Sequence, residues 1–215
     1  MNEQFYENLS LVSTFLIVVP FAVTCVRWRR LAKTQKRLAC LVAVVAIVEL
    51  VANLLWRQYI NNHPVYHVYS ILEFLLILSI YSSYFDRTRI NKVFFILGAS
   101  FTLFALANML FWQSPLEFNS NVTLTSSALI ITLSLSSFYR MLIGPVYTTL
   151  HLIPIFWISA GLLLYFSSNI VLFYLGSRVE LTYEDSLPIW GLHSIFNCLL
   201  ILFFTVALWI QPKKG

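Results

Sequence analysis

Two acids and a histidine sit where charge is least expected. Glu49 lies in LACLVAVVAIVELVANLLW, Glu73 in HVYSILEFLLILSI and His193 in IWGLHSIFNCLLI, all runs of predominantly apolar residues. An ionisable group near the centre of a membrane-length helix costs about 2.5–3.5 kcal/mol on insertion scales, so it normally faces a bundle interior or a wet cavity. Three chemistries use such groups. A metal site would take Glu49, Glu73 and His193 as ligands, with His67 in reserve. A proton or ion pathway would use the two carboxylates. A ligand pocket would use all of them as hydrogen-bonding and charge contacts.

Depth favours one shared layer. At about 1.5 Å per residue, Glu49 is about 10 Å below the outer end of its run, Glu73 about 9 Å below His67 and His193 about 7 Å below Pro188. Asn53, Asn108, Asn169 and Asn197 fall in the same outer third, with Ser126 and Ser127 near it. Helical spacing puts Glu49 with Asn53, and His193 with Asn197, on one face as i, i+4 pairs. Tyr66, Ser70, Glu73, Ile77, Tyr81 and Tyr84 form a comparable stripe. The pocket is therefore assigned to Glu49, Asn53, Glu73, Asn169, His193 and Asn197. The asparagines alone read more simply as interhelical packing bonds, at about 0.6 kcal/mol each.

The elements that position these residues are seven apolar segments at about 8–25, 38–56, 67–85, 93–112, 122–142, 152–175 and 189–210. Each is long enough to cross a bilayer. Pro20 is placed to kink the first. Twelve of the 14 Lys and Arg residues fall in alternate gaps or at the C-terminus, and only Arg57 and Arg178 fall on the other side. Six of the nine acids take that other side, Asp86 joins the basic side, and two lie within spans. The positive-inside rule then gives N-terminus out and C-terminus in. The expected fold is all-α, a polytopic seven-transmembrane helix bundle forming a single domain over 1–215. Span 3 reads SILEFLLIL from Ser70 and span 7 SIFNCLLIL from Ser194, while Asn53 and Asn169 match in spans 2 and 6. These matches suggest a 3+1+3 arrangement of parallel repeats.

Composition excludes several classes. With 59% hydrophobic and 11% charged residues, the chain inverts the emphasis of a soluble domain. The net charge of +5 flanks apolar spans and forms no stripe with interleaved aromatics, so no nucleic-acid partner is expected. Inner-leaflet lipid and a signalling partner at the Arg27–Arg37 loop are the expected contacts. No inter-span loop holds a soluble catalytic domain. Cys25, Cys40 and Cys198 read as small bundle residues without metal spacing. The acidic N-terminus, followed by an apolar stretch and then the basic cluster, reverses the order of a signal peptide, so the first span is expected to be an anchor. There is no HxxxH, HExxH or GxSxG element, and span 7 lacks the lysine a retinal Schiff base needs. His63 and His67 are placed to titrate at a pocket mouth. Trp56, Trp112, Trp157 and Trp190 read as interfacial belt residues. Asn8-Leu-Ser and Asn121-Val-Thr are outer-side sequons.

The segments HVYSILEF, PIFWISAGLLLYFSSNIVLF and IWGLHSIFNCLLI resemble an uncharacterised group of small seven-span proteins of Bacteroidetes-type bacteria. The resemblance covers spans 3, 6 and 7, and implies a bacterial inner (plasma) membrane with polar landmarks at Glu73, Asn169, His193 and Asn197. A more distant likeness is to seven-span intramembrane hydrolases of the ceramidase and adiponectin-receptor kind. This chain departs from them in lacking the HxxxH of span 7 and in placing its polar layer outside, which argues against their zinc. The sequence thus points first to a non-enzymatic sensory or ligand-binding module that signals through a partner, with no cofactor. The alternatives are a metal-assisted lipid hydrolase using Glu49, Glu73 and His193 with zinc, and third, a small-solute or proton-coupled transporter.

Overall fold

The computed structural model describes residues 3–86, 88–143, 149–178 and 183–211. Among them the secondary structure is entirely helical: α1 (Glu3–Phe15), α2 (Val18–Arg27), α3 (Lys33–Arg57), α4 (His63–Phe85), α5 (Thr88–Phe111), α6 (Ser120–Ile143), α7 (Pro154–Arg178) and α8 (Tyr183–Trp209). Counting α1, α2 and the 3-10 turn at Trp28–Arg30 as one stretch, seven helices are long and apolar enough to cross a membrane. Their surfaces agree. Ile47, Leu50, Phe95, Leu103 and Leu110 are exposed, while Gln35, His67, Asn108, Ser134, Ser137, Ser159 and Asn169 are buried. Apolar outside with small polar groups inside suits lipid as the surrounding solvent. The chain is an integral membrane protein by this measure.

Local chemistry sets the boundaries. Pro20 has no N–H to give the carbonyl of Leu16. Val19 N–H takes that carbonyl instead at 3.0 Å, and the first span breaks into α1 and α2. The expected kink is thus a break, one turn ahead of the proline. Several helices begin earlier than the apolar runs suggest. Pro64 occupies the first turn of α4, where a missing N–H costs nothing, so His63 and Pro64 are helical and not in the loop. Likewise α8 starts at Tyr183 and carries Pro188 within it, where the sequence suggested an outer loop ending there. The expected starts at 93 and 122 move back to Thr88 and Ser120, and the start at 152 moves on to Pro154. Polar first turns hide helix starts from an apolar-length criterion. Arg87, Glu180, Lys213 and Lys214 lie outside the described residues, as do the side chains of Arg178, Glu184 and Asp185.

Two compact units are present, residues 31–126 and residues 1–30 with 127–215. In the first, α3 and α4 form an antiparallel hairpin, with α5 packed on α4. Phe74 meets Phe101 at 4.0 Å between ring centres. The Arg37 guanidinium donates to the Ser79 carbonyl, and Ser83 Oγ donates to Thr34 Oγ1 at 3.0 Å. In the second, α7 and α8 form the principal hairpin, and α1 and α2 both lie on α8. The Tyr6 ring rests on Gly191, Ser13 accepts from Asn197, and Arg27 stacks 4.6 Å from the Trp209 ring centre. Ser137 and Ser159 share a hydrogen bond of 2.6 Å between α6 and α7.

Candidate functional site

In the 31–126 unit, α3 and α4 turn their acids inward. Glu49 lies seven residues, two helical turns, after Val42 and three before Ala52, with Leu38 one turn before Val42, and those three flanking residues are buried. Glu73 precedes buried Ile77 and Tyr81 on the same face of α4. Both carboxylates are half-buried. Tyr69 Oη donates to Glu73 Oε1 at 2.7 Å, one turn along the helix. Glu49 lies within electrostatic reach of both Tyr66 and Glu73. Asn53 is half-buried one turn beyond Glu49. The helices extend past the apolar runs, which deepens the layer. Glu49 is about 12 Å from the end of α3, and Glu73 about 15 Å from the start of α4.

Beyond this pair, the end of the unit that carries the α3–α4 and α5–α6 loops is tied by side chains. His67, buried on α4, donates Nε2–H to the Glu117 carbonyl at 3.0 Å. Asn61 Nδ2 donates to the Leu116 carbonyl at 2.9 Å. Asn108, buried near the end of α5, donates to Gln113 Oε1 at 2.9 Å and accepts from Asn121 Nδ2 at 3.0 Å. Gln113 also accepts from the Asn121 backbone N–H at 3.1 Å and donates to Ser120 Oγ at 2.7 Å. Asn119 Nδ2 donates to Ser70 Oγ at 3.3 Å. Asn108 and His67 are therefore braces of the loops at this end of the unit. A shallow groove lined by Phe104, Asn108, Trp112, Asn121, Leu124 and Thr125 runs beside this network and takes in neither acid.

The other unit holds the remaining residues of the assigned pocket. His193 Nδ1–H donates to Asn169 Oδ1 at 3.0 Å, joining α8 to α7. Tyr165 and Trp190 stand against the imidazole at 5.6 and 6.0 Å between ring centres. Asn197 donates to Ser13 Oγ of α1 at 2.8 Å. So His193 and Asn197 share a face of α8 yet address different neighbours. Back in the 31–126 unit, Ser126 Oγ returns to the Thr123 carbonyl of its own helix at 2.9 Å and serves packing. Within either unit, the described residues gather no three His, Cys, Asp or Glu side chains able to hold one metal ion.

Two residues of the acid site escaped the sequence reading. Tyr69 stands four residues before Glu73, so the i, i+4 rule alone would have found it. Asn119 directly precedes α6 in a cap position, a signal visible only once the helix start is known. Set against protein-family models, curated proteins and solved structures, the chain finds no match.

Proposed function

We propose that this protein is a sensory or ligand-binding membrane module. A polar pocket in the outer half of the bilayer, built on Glu49, Asn53 and Glu73, takes a small ligand and passes its occupancy to a partner at the Arg27–Arg37 segment. The observation that carries this reading is the Tyr69–Glu73 bond of 2.7 Å on the buried face of α4, with Glu49 in electrostatic reach. An asparagine would join helices at lower desolvation cost, so two acids in electrostatic reach of each other at membrane depth are better explained by what they bind. Among the described residues the ion pair present is Lys33–Asp86 at 3.9 Å, toward the opposite end of α4, and it satisfies neither acid.

The finer topology belongs to this reading. The segregation of 12 of 14 basic residues supports N-terminus out and C-terminus in, and the resemblance carried by spans 3, 6 and 7 supports a bacterial plasma membrane. The parallel repeat is supported by the two principal hairpins, α3–α4 and α7–α8, which are the helix pairs it equates. Their matched serines behave alike. Ser70 Oγ donates to the Tyr66 carbonyl at 2.8 Å and Ser194 Oγ to the Trp190 carbonyl at 2.9 Å.

A thermal-shift screen of the detergent-purified protein against small cations, anions and neutral solutes tests the function. The expected result is a stabilising compound whose effect disappears in Glu73→Gln and Glu49→Gln. Hydrogen exchange at residues 27–37 should then slow when that compound is bound. A co-purifying metal lost in Glu73→Gln would replace this reading with the hydrolase. A screen with no hit, or hits indifferent to both variants, would sink it.

A further inference from the structure

Resting on the reading above, the ligand class follows from an orphaned atom. Asn119 is 4% exposed, and its Oδ1 has no hydrogen-bond partner. As the residue before α6, it would ordinarily cap the helix by accepting from the backbone N–H two residues on. Gln113 Oε1 has taken that N–H, at 3.1 Å from Asn121 N. The Asn119 side chain is turned instead to α4, where its Nδ2 meets Ser70 Oγ. Which end of the amide is orphaned is fixed by Ser70. The serine hydroxyl gives its proton to the Tyr66 carbonyl, so it has only lone pairs to offer Asn119, and the amide must present its NH₂ there. An acceptor oxygen is left over.

The amide that carries this oxygen meets α4 at Ser70, one turn from Glu73. Ser70 and Glu73 are three residues apart on one face of α4, about 4.5 Å along its axis. Tyr69 donates to one oxygen of Glu73. Going inward from Asn119, the site offers an orphan amide oxygen, the Glu73 carboxyl and the Glu49 carboxyl. Among the described residues the ion pair present is Lys33–Asp86, and neither of these acids has a basic partner there. Meanwhile Gln113 has spent a leading N–H group of α6 that would otherwise attract an anion. A site that holds two acids and a spare amide oxygen, with no cation of its own among the described residues, selects for a cation.

We infer that the Asn119–Glu73–Glu49 site binds a small monovalent cation, either a bare alkali ion or the ammonium head of an organic amine. Hard oxygen donors suit both sources.

The full chain, purified in detergent with choline chloride as the only salt, would be titrated with sodium, potassium, ammonium and methylammonium at constant ionic strength. The expected result is a saturable rise in melting temperature. Its half-saturation concentration should rise about tenfold or more in Glu73→Gln and in Asn119→Leu, the size expected for one lost ligand contact. Asn119→Asp keeps an oxygen at the orphan position and should bind at least as tightly as wild type. Melting in choline alone reports whether each variant folds, and Glu73→Gln decides the matter if Asn119→Leu does not purify. Saturation by sodium or potassium identifies a bare ion, whereas saturation by ammonium and methylammonium alone identifies an amine ligand. No saturable effect of any cation, or one unchanged in both variants, overturns the inference. A neutral or anionic compound lost in Glu73→Gln would overturn it too while leaving the ligand-binding module standing.

Discussion

Tyr69 is the single residue on which the acid site turns. It is the donor that fixes the Glu73 carboxyl, and Tyr69→Phe removes that donor while keeping the ring. Stability should fall by about 1 kcal/mol, within the range of intramembrane hydrogen bonds, as measured by reversible SDS unfolding. No measurable loss would mean that the ring, which the variant keeps, and not the hydroxyl, holds α4. Ser13→Ala tests the other unit in the same way. It removes the acceptor for Asn197 and should cost about 0.6 kcal/mol by the same assay. The two acids were legible in the sequence because charge inside an apolar run stands out by its cost. Their supporting groups were not. A tyrosine near a span end reads as an interfacial ring, and Asn119 reads as loop until the start of α6 is located.

Between helices, close approach is set by glycine. A Cβ at Gly161 of α7 would sit 2.9 Å from Phe203 Cβ of α8, an atom bonded directly to the backbone and unable to swing aside. A Cβ at Gly98 of α5 would meet only the ends of Leu75 and Leu78, at 3.0 and 3.2 Å. Gly161→Ala should therefore destabilise by about 1–3 kcal/mol, and Gly98→Ala by clearly less, since leucine tips repack. Equal losses in the two variants on SDS unfolding would contradict this ranking. The existence and number of the spans came through from apolar length alone, and the break near Pro20 from a missing donor. The starts of α4 and α8 did not, because their first turns contain the polar and proline residues that otherwise mark loops. A proline in a first turn needs no N–H partner, so Pro64 marks a helix start as readily as a loop.

At the scale of the whole molecule, the sorted basic residues make a labelling prediction. With the native cysteines replaced, Ser114→Cys in the α5–α6 loop should react with a membrane-impermeant maleimide added to intact cells. Asp86→Cys, between α4 and α5, should react only after the membrane is opened. The reverse pattern would invert the topology and put the acid site on the inner side. The helical, membrane-embedded character was readable throughout, because composition and span length are properties of the chain. The division into two units was not, since it depends on which helices pair.

The first span is joined to the last by partners far apart in sequence. The hydrogen bond from Asn197 to Ser13 crosses 184 positions, and Tyr6 and Arg27 reach Gly191 and Trp209 in the same helix. The helices of the other unit follow one another directly, from α3 to α5. On the ribosome, then, the α3–α5 group can close as it emerges, whereas α1 and α2 must wait in the bilayer until α8 has been made. During that interval the buried face of the first span, Ser13 and Thr24 included, has only lipid or a chaperone for company.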